Sequence, residues 1–204
     1  MDTDDTYRTI SGVAKGVFRD KASKFIGLAY PVNSEDHAKK ILTELRKEYF
    51  DANHRCFAYR IGTGEQASRA NDDGEPSGSA GKPILSQILS RELTNVMVVV
   101  IRYFGGTKLG IPGLVRAYKT AAREALETAV IIDRTINESF EILFDYPTMN
   151  DVMRILKEEE VEMSLREFGN TCRINFSLRK NRTGKLMNRL ETLPHRGNLV
   201  LKKI

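Results

Sequence analysis

The stretch Val99-Val100-Ile101-Arg102-Tyr103-Phe104-Gly105-Gly106-Thr107-Lys108-Leu109-Gly110 passes from an apolar run into a glycine-rich loop and then into a helical pattern. Residues 95–103 are apolar on both faces, so they predict a buried central strand rather than a half-exposed one. A strand that empties through glycines into a helix presents backbone N–H groups and a positive helix end to an anion. Phosphate is the natural guest. The loop is not a nucleotide-binding Walker loop, because Gly105-x-x-x-x-Gly110 is followed by Ile111-Pro112 instead of Lys-Ser/Thr, and Pro112 lacks one donor amide. A plain strand-to-helix connection whose glycines take positive φ explains the same residues.

Working outward, residues 10–18 and 25–30 read as strands joined by the polar turn Asp20-Lys21-Ala22-Ser23. Ser34 is a helix N-cap, followed by Ala38, Ile41, Leu42, Leu45 and Tyr49 at helical spacing. Residues 54–61 read as a strand with Phe57, Tyr59 and Ile61 on one face and Arg60 on the other. A Gly/Ser-rich loop is expected over 62–81 and a short helix over 83–93. Pro112 suits a first helical turn, and Leu114, Val115, Tyr118, Ala121, Ala122, Ala125, Leu126 and Ala129 form an apolar stripe opposite Arg116, Lys119 and Arg123.

The pattern restarts between Arg134 and Glu138, which predicts two domains, 1–134 and 138–204. In the second, strand signals at Phe140–Phe144, Val161–Leu165, Cys172–Leu178 and Leu199–Lys203 alternate with helical faces at Val152–Leu156 and Leu186–Leu193. The order βαββαβ is the ferredoxin-like arrangement, so the chain belongs to the α+β class.

The 204 residues are 41% hydrophobic, enough for packed cores in two domains. The acidic opening Met1-Asp2-Thr3-Asp4-Asp5 is unlike a secretory signal, and the apolar run Val96–Ile101 is far shorter than the roughly 20 residues that span a bilayer. These features predict a soluble, cytoplasmic protein without a membrane partner. Cys56 and Cys172 are far apart and His37, His54 and His195 are scattered, a pattern that predicts no disulfide framework, metal or cofactor. His54 and His195 read as surface residues.

The net charge of +5 is segregated. Arg102, Lys108, Arg116, Lys119 and Arg123 follow one another with no acid between, and residues 173–204 carry Arg173, Arg179, Lys180, Arg182, Lys185, Arg189, Arg196, Lys202 and Lys203 against Glu191 alone. Acids gather instead at Asp72, Asp73 and Glu75, and from Asp151 to Glu162. Such separation is expected of a directed electrostatic face toward nucleic acid or an acidic protein, although a solvated surface shares it.

The string Gly81-x-x-Ile84-Leu85-x-x-Ile88-x-x-x-x-Leu93-x-x-x-x-x-Val99-Val100-x-Arg102-Tyr103-Phe104-Gly105-Gly106-x-x-Leu109-Gly110 resembles the signature of the Impact family. Asp72-Asp73-Gly74-Glu75-Pro76-Ser77-Gly78-Ser79-Ala80-Gly81 resembles that family's acidic glycine loop, with Ser79 where Thr is common, and His54–Arg60 resembles its preceding strand. The likeness extends over the whole chain to the bacterial, YigZ-type members. It implies an N-terminal domain of the ribosomal protein S5 domain 2 type and a ferredoxin-like C-terminal domain resembling the last domain of elongation factor G, whose last two domains contact ribosomal RNA and protein. It also implies a role in regulating translation, since the eukaryotic Impact protein competes for the activator of an initiation-factor kinase.

The expected function is therefore binding rather than catalysis, toward RNA, ribosomal components or a translation-related protein, by a monomer or dimer. The candidate binding residues are Arg102, Tyr103, Phe104, Gly105, Gly106, Lys108, Gly110, Arg116, Lys119 and Arg123, joined by Arg179, Lys180, Arg182 and Lys185 in the second domain. Tyr103 and Phe104 have two readings, as stacking platforms for bases and as half-buried core. The acidic loop Asp72, Asp73, Gly74, Glu75 and Pro76 has readings as a Mg²⁺ site and as a capped or ion-paired turn, Glu75 with Arg102 among the pairs. Both glycine-rich loops are expected to share one concave surface. Two other classes stay open: a phosphate- or nucleotide-dependent enzyme using those loops, and a protein adaptor without RNA contact.

Overall fold

The computed structural model describes residues 5–64, 66–193 and 198–204, and the expectations placed on Met1–Asp4, His195 and Arg196 lie outside them. Its elements are β1 (Thr6–Ile10), β2 (Ala14–Asp20), β3 (Ser23–Pro31), α1 (Glu35–Glu48), β4 (His54–Ile61), β5 (Ala67–Asn71), α2 (Gly81–Leu89), β6 (Val96–Tyr103), α3 (Gly110–Glu127) and β7 (Ile131–Thr135). There follow β8 (Asn137–Asp145), α4 (Met149–Glu158), β9 (Glu162–Glu167), β10 (Thr171–Arg179), α5 (Lys180–Glu191) and β11 (Val200–Lys203). One compact unit is Tyr7–Arg134; the other is Thr135–Ile204 with Asp5 and Thr6.

In the first unit β6 is the middle of an antiparallel sheet ordered β2-β3-β6-β4-β5. Its side chains alternate between two cores, as the pleat demands. Val96, Val98 and Val100 pack with Phe25, Cys56 and Ala58 against α2 and α3, while Met97, Val99 and Ile101 pack with Ile26, Phe57 and Tyr59 against α1. All six β6 side chains have no exposed surface, and each such burial favours folding by about 1.5–3 kcal/mol. Ser34 caps α1 by accepting the His37 N–H at 3.2 Å, and Glu35 and Asp36 sit at its positive end.

Helix α3 lies unusually close to the sheet. A Cβ at Gly16 would come within 2.5 Å of Ala125 N, and one at Gly27 within 2.3 Å of Ala121 O. Alanines on the helix and glycines on the strands are therefore one packing solution. The turn at Lys21 and Ala22 has φ of +45° and +62°, which matches the twist of a tight hairpin.

Three stretches of the first unit depart from the expected element boundaries. Residues 10–18 are not one strand: β1 ends at Ile10, Ser11 N–H bonds Val130 O, and β2 begins at Ala14. The loop over 62–81 contains β5, an edge strand whose Ala-Ser-Arg-Ala-Asn sequence carries no apolar alternation. Helix α2 starts two residues before Pro83 and stops at Leu89.

The second unit has the sheet order β11-β8-β10-β9, antiparallel throughout. Phe140, Ile142 and Phe144 face Phe176, Ile174 and Cys172 in register, and Val152, Ile155, Leu156, Leu186 and Leu190 complete one core. Asp5 and Thr6, which the sequence reading assigned to the first domain, group here because the buried Asp5 carboxylate is bonded by the Arg179 guanidinium.

Substituting Gly27→Ala is expected to destabilise the protein by about 1–3 kcal/mol in chemical denaturation, since the added carbon must displace α3 backbone. Gly12→Ala, which meets nothing within 4 Å, is expected to leave the midpoint unchanged.

Candidate functional site

At the end of β6, Arg102 is buried, with 6% of its surface exposed. Its Nη1 donates to Glu75 Oε1 at 2.5 Å, and the same oxygen accepts the Tyr118 hydroxyl at 2.8 Å. The guanidinium carbon lies 5.4 Å from the Phe25 ring centre and 5.5 Å from that of Phe104, within cation–π range of both. Arg102 Nε has no partner, a deficit of about 1–3 kcal/mol for a buried donor. Burial, with Cys56 and Glu75 beside it, pushes the Tyr118 hydroxyl well above its ordinary pKa, so it stays a donor. Burial likewise raises the Cys56 thiol, whose Sγ donates to Asp72 O at 3.0 Å; a thiol so held is no nucleophile.

The acidic loop is folded by its own carboxylates. Asp72 Oδ1 accepts the N–H groups of Ala80 and Gly81 at 2.9 and 2.7 Å, and its Oδ2 that of Gly78 at 2.8 Å. It thereby caps α2, whose N-cap residue Ala80 has no side-chain oxygen. Burial works against the Asp72 carboxylate, but the amides of Gly78, Gly81 and Ala80 outweigh it and hold the pKa below the usual value. Asp73 Oδ2 accepts Arg55 N–H at 2.7 Å. The capped-turn reading of this loop accounts for these oxygens, and no cluster of metal-ligating side chains occurs among the described residues.

These contacts deliver Glu75 and Pro76 to the same cleft as Arg102, Phe104 and Lys108. The cavity measures about 470 Å³. Its deep side holds His54, Glu75, Arg102 and Leu114, and its mouth holds the exposed Phe104, Lys108 and Ile111. His54 is not the surface residue expected: Nδ1 lies 2.8 Å from Asp73 O, to which it can only donate, and Nε2 is 3.8 Å from Glu75 Oε1. The sequence reading also missed Asn53, whose Oδ1 accepts Phe104 N–H at 2.8 Å, and the polar role of Tyr118. A tyrosine within an alanine-rich helical stripe was the available signal, because a buried hydroxyl needs a partner.

The remaining candidates separate. Tyr103 turns to the α1 side of the sheet and donates to Asp51 Oδ1 at 2.8 Å. Gly105 packs on the β2–β3 turn, where a Cβ would meet Ala22 C at 2.2 Å, and Gly106 has φ of +86°. Arg116, Lys119 and Arg123 are exposed along α3; Arg116 pairs with Asp20 at 2.9 Å and Arg123 with Glu127 at 3.6 Å. In the second unit Arg179 is bound to Asp5, while Arg182, Lys185 and Arg189 converge on Glu159, which is 1% exposed. Lys180 opens α5.

Comparison with known proteins adds an independent line. Residues 21–126 match the Impact N-terminal domain. The IMPACT family member YvyE of Bacillus subtilis is 34% identical over 155 residues, covering 76% of this chain and 71% of that protein. The IMPACT family member YigZ of Escherichia coli is 32% identical over 138 residues, covering 67% and 68%. A crystal structure of a hypothetical protein superposes with a TM-score of 0.76 at 26% identity over 98% of each chain.

Glu75→Gln removes the counter-charge of a buried guanidinium, and a loss of about 3–5 kcal/mol is expected in equilibrium unfolding. The Glu159 carboxyl is held down at about 2 by hydrogen bonds from Lys185 and Arg189 against the opposing effect of burial. Its contribution is therefore complete above the ordinary value of 4.5 and is lost as pH falls toward about 2. Thermal unfolding is expected to separate wild type from Glu159→Gln most widely above pH 4.5, with the gap closing on acidification.

Proposed function

From the premise that the chain belongs to the Impact family, we propose that it is a cytoplasmic, non-enzymatic regulator of translation that binds RNA or ribosomal components through its first unit. The observation that carries this reading is the solvent face of α3. Arg116, Lys119 and Arg123 are exposed on it, the helix has no acid before Glu124, and Lys108 stands just ahead of its first turn. Lys108 and Lys119 make no ion pair among the described residues. The exposed pairs of Arg116 and Arg123 are worth at most about 1 kcal/mol each, so a phosphate displaces them readily.

We read the first unit as S5 domain 2-like and the second as ferredoxin-like; the βαββαβ order with sheet order β11-β8-β10-β9 supports the latter. The second unit's cations contribute less, because Arg179, Arg182 and Lys185 share internal carboxylates. No described helix is long and apolar enough to cross a membrane. Catalysis has little support: the Cys56 thiol is held protonated, and Glu75, Arg102 and Tyr118 are bonded to one another.

Binding to structured RNA is expected to weaken steeply with salt, with little sequence preference, because each neutralised phosphate releases about 0.7–0.9 of a counterion. Replacing Arg116, Lys119 and Arg123 together by Ala is expected to lower the logarithmic salt slope by about two to three units without altering the thermal midpoint. An unchanged slope, or no RNA binding at low salt, rejects the reading; an RNase-resistant protein partner on the same face would replace it with an adaptor.

A further inference from the structure

Resting on the RNA-binding reading of α3, we propose that the cleft beside it is a pocket for one unstacked nucleotide. The phosphate would sit at Lys108 and the start of α3, the base against Phe104, Ile111 and Leu114. The volume of about 470 Å³ lies in the range of small-molecule sites and suits a base, its sugar and one phosphate.

Three chemistries meet in the cleft, and a nucleotide is the ligand that uses all of them. The first is an anion site. Leu109, the N-cap of the 18-residue α3, offers no side-chain cap, and Pro112 has no N–H, so the amides of Gly110 and Ile111 are left for a ligand, with the Lys108 ammonium alongside. The second is an aromatic platform. Phe104 is 45% exposed although it stacks over a guanidinium, and its backbone is pinned by Asn53, so it stands open at the mouth without being loose. Bases stack on such rings at little sequence cost.

The third is a polar edge at depth. Arg102, more than nine-tenths buried, lines the cleft; Glu75 takes its Nη1, and among the described residues its Nη2 makes no hydrogen bond, a donor suited to a base carbonyl. Glu75 spends Oε1 on Arg102 and Tyr118, and among the described residues Oε2 accepts no hydrogen bond. A carboxylate oxygen and a guanidinium N–H side by side match a base edge that offers an N–H beside a carbonyl. A simple anion would leave the aromatic wall unused, and an apolar ligand would leave the charges unpaired.

The test is binding of short single-stranded RNA and of nucleoside monophosphates to the full chain by calorimetry or fluorescence anisotropy. Ile111→Asp places a carboxylate in the anion site at a position that is 57% exposed and where acid favours a helix start, so the fold is retained. It is expected to weaken RNA binding about ten-fold or more, and Phe104→Leu similarly, the lower range of one base stack. Gly12→Ala, outside the cleft and with nothing within 4 Å of the added carbon, should bind as wild type. Unchanged RNA affinity in both Ile111→Asp and Phe104→Leu, while the triple alanine variant of α3 still loses salt dependence, overturns the pocket and leaves the RNA reading standing. Wild type that binds a mononucleotide, sensitive to Ile111→Asp, with no gain from RNA supports the pocket and overturns the RNA reading. Absence of binding to either ligand overturns both.

Discussion

The Arg102 guanidinium is withdrawn from water at the end of the central strand, and a charge in that position demands a counter-charge within hydrogen-bond distance. Much of the first unit follows from meeting that demand. Glu75 reaches Arg102 because the loop before α2 is wound around Asp72 and Asp73, whose oxygens hold Gly78, Ala80, Gly81 and Arg55. Tyr118 donates to the same Glu75 oxygen and so couples the rotation of α3 to the carboxylate. The rings of Phe25 and Phe104 both lie within cation–π range of the cation, and the ring of Phe25 meets that of Tyr118 edge-on at 5.2 Å. The cleft is what remains when these groups are satisfied on one side and left open on the other.

In the second unit the sign is reversed. There a buried carboxylate, Glu159, collects Arg182, Lys185 and Arg189 from α5. The difference in exposure matters for function: the side chain of Lys185 is largely in water and that of Arg182 partly so, and this cluster presents positive charge that is partly spoken for, whereas Arg102 presents almost none. A dense run of Lys and Arg in sequence is thus a poor guide to available charge until the buried acids are placed.

Periodicity made the frame legible. The alternation in β6 and the stripe on α3 are strong because both surfaces are buried against something, and the second unit's strands alternate cleanly for the same reason. β5 was invisible because an exposed edge strand has no core face to imprint on its sequence, and the break after Ile10 was hidden by a bend that leaves strand-forming residues on both sides. At the site, the pairing of Glu75 with Arg102 was among the readings that residue type and loop position allow. Its burial was not, since that depends on Tyr118 and Phe25, which are distant in sequence. His54 was misread for the same reason: its partner is a backbone carbonyl, and a carbonyl leaves no mark on composition.

The bond between Asp5 and Arg179 joins residues 174 positions apart, and it makes the first unit an insertion within the second. On a ribosome, Asp5 is made long before Arg179, so the carboxylate must wait in water while the whole of Tyr7–Arg134 is synthesised. Closing so long a loop would be slow for a disordered chain, because loop entropy grows with length. The pairing of β1 with β7 shortens the effective loop, since it brings the two ends of the folded first unit together before α5 emerges. Vectorial synthesis and topology then agree: the inserted unit can fold, with its own ends joined through β1 and β7, before the partner of Asp5 is made.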